Sequence, residues 1–192
     1  MTDYIALADQ KLGAERFRHT LNVAESAKLL AVKYGADAEK ATLAGLLHDI
    51  MKDTSKEEQL YIIENSGIIL TCADKASPKL WHSIAGAAYL RDELKITDAD
   101  IFNAVRYHTT GRAGMSLLEK VIYIADYISA DRTYSGIEEM RRLAEINLED
   151  AMLFALEFCI NKLVETGKVI HPDSVDCYNE LIINRQIKNK QL

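Results

Sequence analysis

The chain has 192 residues, of which 48% are hydrophobic and 27% are charged. This composition excludes a mainly disordered or fibrous protein, and the length suits one domain or at most two small ones. The formal net charge of −6 differs from the basic surplus of a general nucleic-acid binder, so we expect no nucleic-acid partner. With 9 Gly and 2 Pro, the chain favours long helices over a strand-rich sandwich.

The cysteine pattern and the lengths of the apolar runs indicate the cellular compartment of the protein. The 3 cysteines are odd in number and include no CxxC pair, which is typical of a reducing compartment. The first ten residues lack the basic start of a signal peptide. The apolar runs are far shorter than the roughly 20 residues of a membrane span. We therefore expect a cytoplasmic protein without a membrane partner.

Helical periodicity dominates the chain from Glu15 onward. The predicted helices span about 15–34, 38–51, 56–65, 78–94, 98–108, 117–130, 137–144, 148–166 and 174–187. Stretches 67–77 and 109–114 are predicted as loops. No segment alternates with period two for long, so we predict an all-α fold. It is a single-domain helical bundle over 1–192, with a core of about 15–171 and a C-terminal helix of about 174–187.

Capping signals predict where several of these helices begin. A Ser or Thr followed three residues later by an acidic residue is typical of a capping box, and it occurs at 55–58, 97–100 and 116–119. Asp37 and Asn147 are suited to cap the helices that follow them. Ser77 precedes Pro78, which favours a helix start because proline suits the first helical position.

Polar residues in apolar helical surroundings form the chemically informative pattern. Four of the five histidines belong to it: His19, His48, His82 and His108. Asp49 follows His48, and Asp126 lies among bulky hydrophobic residues, where an unpaired carboxylate is costly to bury. Imidazole and carboxylate groups suit Fe, Mn, Zn, Ni or Co. Their spacing excludes a local finger, so we predict a metal site where five helices converge.

The adjacent pair His48 and Asp49 constrains this site. Neighbouring residues on a helix point about 100° apart, so both can reach one ion only near a helix end. Lys52 is four residues after His48 and three after Asp49, on the same side, where it is placed to hold a phosphate. Taken singly, such residues are commonly core histidines, salt-bridge partners or solvated helix ends. Their combined order favours a metal. His171 is expected to have a structural role in a loop.

Five strings of the sequence resemble a known family: 16–20, 44–49, 107–112, 114–120 and 123–128. They are similar to the HD superfamily of metal-dependent phosphohydrolases, and within it to the symmetrical diadenosine-tetraphosphate hydrolases. The resemblance runs from Arg16 to His171. The two letters HD are a weak motif alone, whereas the His-Thr-Thr-Gly-Arg string at 108–112 is more specific.

The resemblance implies roles for residues that match its motifs. His19, His48, Asp49 and Asp126 would hold a first metal, and His82 and His108 a second, with Asp49 bridging. One or two divalent ions are implied, with iron expected and Mn or Co compatible. Asp49, Lys52 and Arg112 would serve catalysis. The residues implied in substrate binding are Lys52, Thr109, Thr110, Gly111, Arg112 and Arg132.

The activity implied is hydrolysis of diadenosine tetraphosphate to two ADP through a metal-activated water, with a small-molecule nucleotide as the partner. Three alternatives stay open: another HD nucleotide phosphohydrolase, a di-iron oxygenase on the same scaffold, and a nucleotide-binding regulator with a structural metal. A homodimer is left open as well. The chain departs from the family pattern at two positions. Ser83 stands where Gly is expected, and Asp131 stands where Gly or Asn is expected.

Overall fold

A computed structural model describes residues 1–190, so the last two residues of the predicted domain lie outside the described range. Within 1–190 the chain is helical and contains no strand, which confirms the predicted all-α class. The helices are α1 (Thr2–Lys11), α2 (Ala14–Tyr34), α3 (Ala38–Leu47), α4 (Lys56–Asn65), α5 (Cys72–Ala76), α6 (Trp81–Asp92), α7 (Ala99–Tyr107), α8 (Leu117–Ile128), α9 (Ile137–Ile146), α10 (Leu148–Glu165) and α11 (Pro172–Lys190). A one-turn 3-10 helix, Pro78–Leu80, precedes α6.

Most of the predicted caps are confirmed. Ser116 and Glu119 form a reciprocal capping box at the start of α8. Asp37 caps α3 and Asn147 caps α10, each accepting hydrogen bonds from two backbone N–H groups of the first turn. Ser55 accepts from the Glu58 backbone N–H and starts α4. These helix starts are local in sequence, which is why local patterns predict them.

The helix predicted over 38–51 ends earlier, at Leu47. Residues 48–53 form tight turns, in which Ile50 N–H donates to Leu47 and Lys52 N–H to Asp49. The error arose because Ile50 and Met51 are fully buried and continue the apolar pattern. The pair His48–Asp49 consequently lies just beyond the end of α3, as predicted from the directions of neighbouring side chains on a helix.

Three other local predictions were wrong. The loop predicted at 67–77 contains α5, which Thr71 and Asp74 start with a reciprocal capping box. The cap of α7 is Asp98 rather than Thr97, because the Asp98 carboxylate accepts from the first free backbone N–H groups. Ser77 makes no side-chain cap, although Pro78 begins a helical turn as predicted, and this turn is a 3-10 helix that precedes α6. Helix α1 was not predicted.

Helix α8 lies at the centre of the bundle. Residues 121–125 are all buried, and α8 packs against α2, α3, α7 and α10. Helix α3 approaches α2 closely at Gly45, and α6 packs on α7. This arrangement brings one face of α2 and α8 together with the ends of α3 and α7 and the start of α6. Within residues 1–190, no helix is both long and apolar enough to cross a bilayer.

Candidate metal centre

The structure gathers the six predicted ligands in the core of the bundle. They come from α2 (His19), the turn after α3 (His48 and Asp49), the start of α6 (His82), the end of α7 (His108) and α8 (Asp126). The four histidine side chains are buried. Their rings form a row, with centroids 5.5 Å apart for His19 and His48, 5.0 Å for His48 and His108, and 5.2 Å for His82 and His108.

Three of these imidazoles are oriented by the backbone. In each, Nδ1 donates to the carbonyl oxygen three residues earlier in the chain. The distances are 2.7 Å from His48 to Gly45, 2.7 Å from His82 to Lys79 and 2.8 Å from His108 to Val105. Because a carbonyl only accepts, the proton stays on Nδ1 and the Nε2 lone pair is free. This is the usual way in which a protein prepares histidines as metal ligands.

One cluster of ligand atoms contains His19, His48 and Asp126, all within 4.8 Å of one another. His19 Nε2 lies 3.0 Å from Asp126 Oδ1. The Arg132 guanidinium contacts the same carboxylate, and its Nη2 is 3.4 Å from His19 Nε2. Two imidazoles and a carboxylate at these distances match the donors of a first-row transition-metal site.

A second cluster joins the first through His48 and contains Asp49 and His108. Asp49 Oδ1 lies 3.1 Å from His82 Nε2 and 3.4 Å from His108 Nε2, and those two nitrogens are 3.3 Å apart. Asp49 Oδ2 faces the other way, 3.6 Å from His48 Nε2. The carboxylate therefore lies between the two groups of imidazoles.

Two buried atoms test whether a cation fits here. His48 Nε2 and Asp49 Oδ1 are shielded from solvent and make no hydrogen bond. Buried polar atoms are nearly always paired, so such atoms call for an ion or another unseen partner. Both atoms are electron-pair donors and lie among further donors of the same kind. The residues present thus fit a divalent metal.

Burial and charge set the protonation of the ligands. Burial lowers the pKa of His48 and of His82 to about 4, so both are neutral at pH 7 and can ligate. Burial alone would raise the pKa of Asp49, but the surrounding histidines hold it well below its usual range. Likewise, burial opposes the ionisation of Asp126, but its contact with His19 and the nearby His48 and Arg132 together outweigh burial, so the pKa of Asp126 lies well below its usual range.

Three cationic side chains surround the cluster. Lys52 Nζ lies 3.1 Å from His82 Nε2 and 3.6 Å from Asp49 Oδ1, beside the ligands as predicted from its spacing. Arg16 Nη1 lies 3.0 Å from Asp49 Oδ2. The third, Arg132, contacts the Asp126 carboxylate through its guanidinium group. A cavity of about 430 Å³ opens beside the cluster, and its lining includes Arg16, His19, Asp53, Asp131 and Arg132.

A model of the family described as "HD domain" matches residues 16–131, which contain all six predicted ligands. The chain belongs to the HD-domain family. The matched residues begin at Arg16, within α2, and end just after α8, so they include all six residues of the cluster. The HD assignment agrees with the resemblance that the sequence strings indicated.

Close relatives cover nearly the whole of this HD-domain protein. A symmetrical bis(5'-nucleosyl)-tetraphosphatase from Bacillus subtilis strain 168 is 39% identical over 93% of this chain and 95% of that protein. A protein of the same name from Halalkalibacterium halodurans is 38% identical over 95% of this chain and 97% of that protein.

A solved structure is also similar to this HD-domain protein. The Clostridium acetobutylicum protein, described as a predicted HD superfamily hydrolase involved in NAD metabolism, has a TM-score of 0.93 and 37% identity. The match covers 95% of this chain and 97% of that one. The likeness therefore extends over the whole helical bundle rather than over the ligand-bearing core alone.

Residues 109–112 of the HD domain, predicted to contact substrate, have other partners in the structure. Thr109 Oγ1 lies 3.4 Å from Ser83 Oγ, next to His82. Thr110 is buried and donates to the Gly111 carbonyl. Gly111 has a φ of 65°, and a Cβ there would lie 3.1 Å from Cys177 Sγ of α11. This turn is therefore shaped by packing against α11.

Arg112 forms a bidentate pair with Glu119 of α8. Its Nε and Nη2 donate to the two carboxylate oxygens at 2.7 Å and 2.6 Å. Glu119 is buried and also completes the capping box of α8. The guanidinium is thus held in one orientation, partly exposed, at the edge of the bundle. A role in substrate binding stays a prediction.

Two residues that contact the predicted ligands, Arg16 and Asp131, had no role predicted from the sequence. Arg16 is three residues before His19 on the same face of α2, so its contact with Asp49 had a local signal. Asp131 accepts from His19 Nδ1 across a separation of 112 residues, which no local pattern shows. His171, expected to be structural, lies away from the cluster and contacts Asp74 at 3.2 Å.

Proposed function

We propose that the protein is a symmetrical bis(5'-nucleosyl)-tetraphosphatase, a hydrolase that cleaves diadenosine tetraphosphate into two ADP. The relatives that carry this name cover more than nine tenths of the chain. The observation that carries the proposal is the row of four buried imidazoles around Asp49, with His48 Nε2 and Asp49 Oδ1 unpartnered. Such a site is suited to metal-assisted hydrolysis of a phosphoric anhydride.

In this proposal His19, His48, Asp49 and Asp126 would hold one divalent ion, and His82, His108 and Asp49 would hold a second. The opposite directions of the two Asp49 oxygens support a bridging role. We propose iron because the family resemblance implies it, while the donor set also suits Mn or Co. Bound there, such ions would supply a water nucleophile near neutral pH and neutralise phosphate charge.

The chain's own cations bind and orient the tetraphosphate. Lys52 lies beside Asp49 and holds a phosphate oxygen next to the cluster. Arg16 and Arg132 line the adjacent cavity and offer planar guanidinium groups, which suit phosphate oxygens. Arg112, oriented by Glu119, adds a fixed positive charge, and the nearby Thr109–Thr110–Gly111 turn borders the same substrate. These charges stabilise the negative charge that moves to the leaving oxygen.

The cut is symmetrical in this mechanism. A water oxygen bonds to one of the two central phosphorus atoms, and the bond from that phosphorus to the central bridging oxygen breaks. The bridging oxygen leaves on the second ADP, and the water protons pass to solvent. The histidines of the cluster are buried, so the anhydride is cleaved beside the cluster, where the partly exposed Lys52, Arg16 and Arg132 hold it.

Product analysis tests this function. Protein stripped of metal is incubated with diadenosine tetraphosphate alone and after addition of Fe²⁺, Mn²⁺ or Co²⁺. We expect ADP as the sole nucleotide product and no turnover without metal. Formation of ATP and AMP would reject the symmetrical cut. Faster turnover of nucleoside monophosphates or dNTPs would favour the other HD phosphohydrolases, and oxygen uptake by an iron-loaded sample would favour an oxygenase.

We also propose that the reaction takes place in the cytoplasm. All three cysteines are free: Cys72 is exposed, Cys159 is half-buried and Cys177 is buried. Free thiols persist in a reducing compartment. The nucleotide is a small-molecule partner, and neither a nucleic acid nor a membrane is needed for the proposed chemistry.

A further inference from the structure

His19 is held differently from the other three clustered histidines. His48 and His108 directly follow α3 and α7, and His82 follows a 3-10 turn, so a carbonyl three residues earlier can accept from each ring. His19 lies inside the 21-residue helix α2, where the neighbouring carbonyls are used by the helix itself. Its Nδ1 therefore needs an acceptor from another part of the chain.

Asp131 is that acceptor. Its Oδ2 accepts from His19 Nδ1 at 2.7 Å, and its Oδ1 accepts from the Asn22 side chain at 3.0 Å. Asn22 is three residues after His19, on the same face of α2. Both carboxylate oxygens are thus used, and the pair of contacts fixes the position of Asp131 against this one turn of the helix.

The contact fixes which nitrogen of His19 faces the ligand cluster. With the proton on Nδ1, the Nε2 lone pair points to the atoms around Asp126, 3.0 Å away. A carboxylate is a stronger acceptor than a backbone carbonyl, and it makes the ring a more basic ligand. Among the described residues, His19 is the one histidine of the cluster whose Nδ1 donates to a carboxylate.

We propose that Asp131 is a positioning residue, which holds His19 as an Nε2 ligand and thereby strengthens metal binding at the cluster of His19, His48 and Asp126. The inference rests on the metal site of the proposed function. Asp131 acts through His19, since both of its carboxylate oxygens accept from α2, Oδ2 from His19 and Oδ1 from Asn22. The consequence is specific: the effect of changing Asp131 disappears when the imidazole of His19 is absent.

Co²⁺ affinity tests the proposal without any assay of turnover. Metal-free protein is titrated with Co²⁺ in competition with a coloured chelator, for wild type, Asp131→Asn and Asp53→Asn. Asp53 lines the same cavity and accepts from the Gly13 backbone N–H, so its variant makes the same charge change without altering the hydrogen bond to His19. We expect Asp131→Asn to weaken binding about 10- to 100-fold. Asp53→Asn should stay within about twofold of wild type.

The double variant His19→Ala with Asp131→Asn completes the experiment. We expect it to bind Co²⁺ as weakly as His19→Ala alone, because coupled residues are not additive. Asn22→Ala, which removes the second anchor of Asp131, should weaken binding in the same direction and serves as the test if Asp131→Asn does not fold. Equal affinities for the Asp131 and Asp53 variants, or an unchanged Asp131 effect without His19, would overturn the proposal.

Failure of the proposed metal site and failure of the Asp131 role would give different results. Wild-type protein that binds no Co²⁺ would overturn the metal site and this inference with it. Wild-type protein that binds Co²⁺ tightly and releases only ADP, combined with an unaffected Asp131→Asn, would leave the proposed function intact and overturn the role of Asp131 alone.

Discussion

Gly45 of α3 lies against the backbone of Ala24 in α2. A Cβ at position 45 would come within 2.8 Å of Ala24 Cα and 3.1 Å of its nitrogen. A contact with backbone atoms cannot be relieved by a rotamer change, so any side chain at position 45 would push the two helices apart. The helix pair that carries His19 and leads to His48 thus depends on a missing side chain.

Gly45→Ala should therefore destabilise the fold and loosen the site. We expect the free energy of unfolding to fall by about 1–3 kcal/mol, the typical cost of overpacking, even though alanine favours helices over glycine by about 1 kcal/mol. Urea denaturation measures this. Gly86→Ala is the control, because its new Cβ would meet the Val105 side chain at 3.4 Å and the His48 carbonyl and Ile50 side chain at 3.9 Å, which are ordinary van der Waals contacts. A variant at 45 as stable as the one at 86 would show that α2 and α3 can separate freely.

Replacing Asp49 should abolish turnover without unfolding the protein. Its two oxygens face opposite groups of imidazoles, so Asp49→Ala removes the ligand common to both clusters. We expect less than about 1% of wild-type ADP release, with an unchanged helical circular dichroism spectrum. The matched control is Asp53→Ala, which removes a carboxylate four residues further along the chain that accepts from the Gly13 backbone N–H. Wild-type-like hydrolysis by the Asp49 variant would refute the site assignment.

The Arg112–Glu119 pair should contribute to stability because Glu119 is almost fully buried. Arg112→Ala leaves this carboxylate with only the Ser116 backbone N–H, 3.1 Å away. We expect a loss of about 2 kcal/mol in the free energy of unfolding, and a smaller loss for Arg112→Lys, which keeps one donor.

An exposed pair of the same shape provides the control for this prediction. Arg142 donates to Glu139 through two bonds of 2.7 Å and 2.6 Å on the surface of α9. Arg142→Ala should leave the free energy of unfolding nearly unchanged, because exposed ion pairs contribute little. Similar losses for the two variants would mean that the burial of Glu119 is not what matters.

Asp74 should make the fold sensitive to acid. Burial alone would raise the pKa of its carboxyl, but the His171 and Thr71 hydrogen bonds and the nearby Arg106 hold that pKa well below its usual range. A depressed folded pKa contributes stability above the unfolded pKa of about 3.9, and this contribution is lost as the pH falls through the folded pKa.

Asp74→Asn isolates this effect. At pH 7 the variant should be less stable than wild type by on the order of 2 kcal/mol, and the difference should shrink between pH 4 and pH 2. Thermal or urea denaturation at each pH measures it. A difference that stays constant over that interval would show that the loss comes from the altered cap of α5 and not from the charge of Asp74.

Local sequence signals predicted the helical class and most helix starts. Ser116 with Glu119, Asp37 and Asn147 satisfy backbone groups within one turn, so their effect is readable from neighbours in the chain. The end of α3 was not readable, because the buried Ile50 continues the apolar pattern while the backbone has already left the helix. Periodicity reports burial, and a buried turn and a buried helix give the same pattern.

What the sequence by itself determined is the set of donors. Histidines and carboxylates in apolar helical segments must find partners, because burying them unpaired costs several kcal/mol. That requirement is a property of each residue and its neighbours, so His19, His48, Asp49, His82, His108 and Asp126 could be identified together from the chain.

Only the tertiary structure decided how these donors are held. Three contacts depend on distance and direction after packing: those of Asp131 with His19, of Arg16 with Asp49 and of Glu119 with Arg112. The first joins residues 112 positions apart, and its formation depends on the placement of α2 against the turn that follows α8. A hydrogen bond is satisfied within a few tenths of an ångström, and helix packing sets positions on that scale.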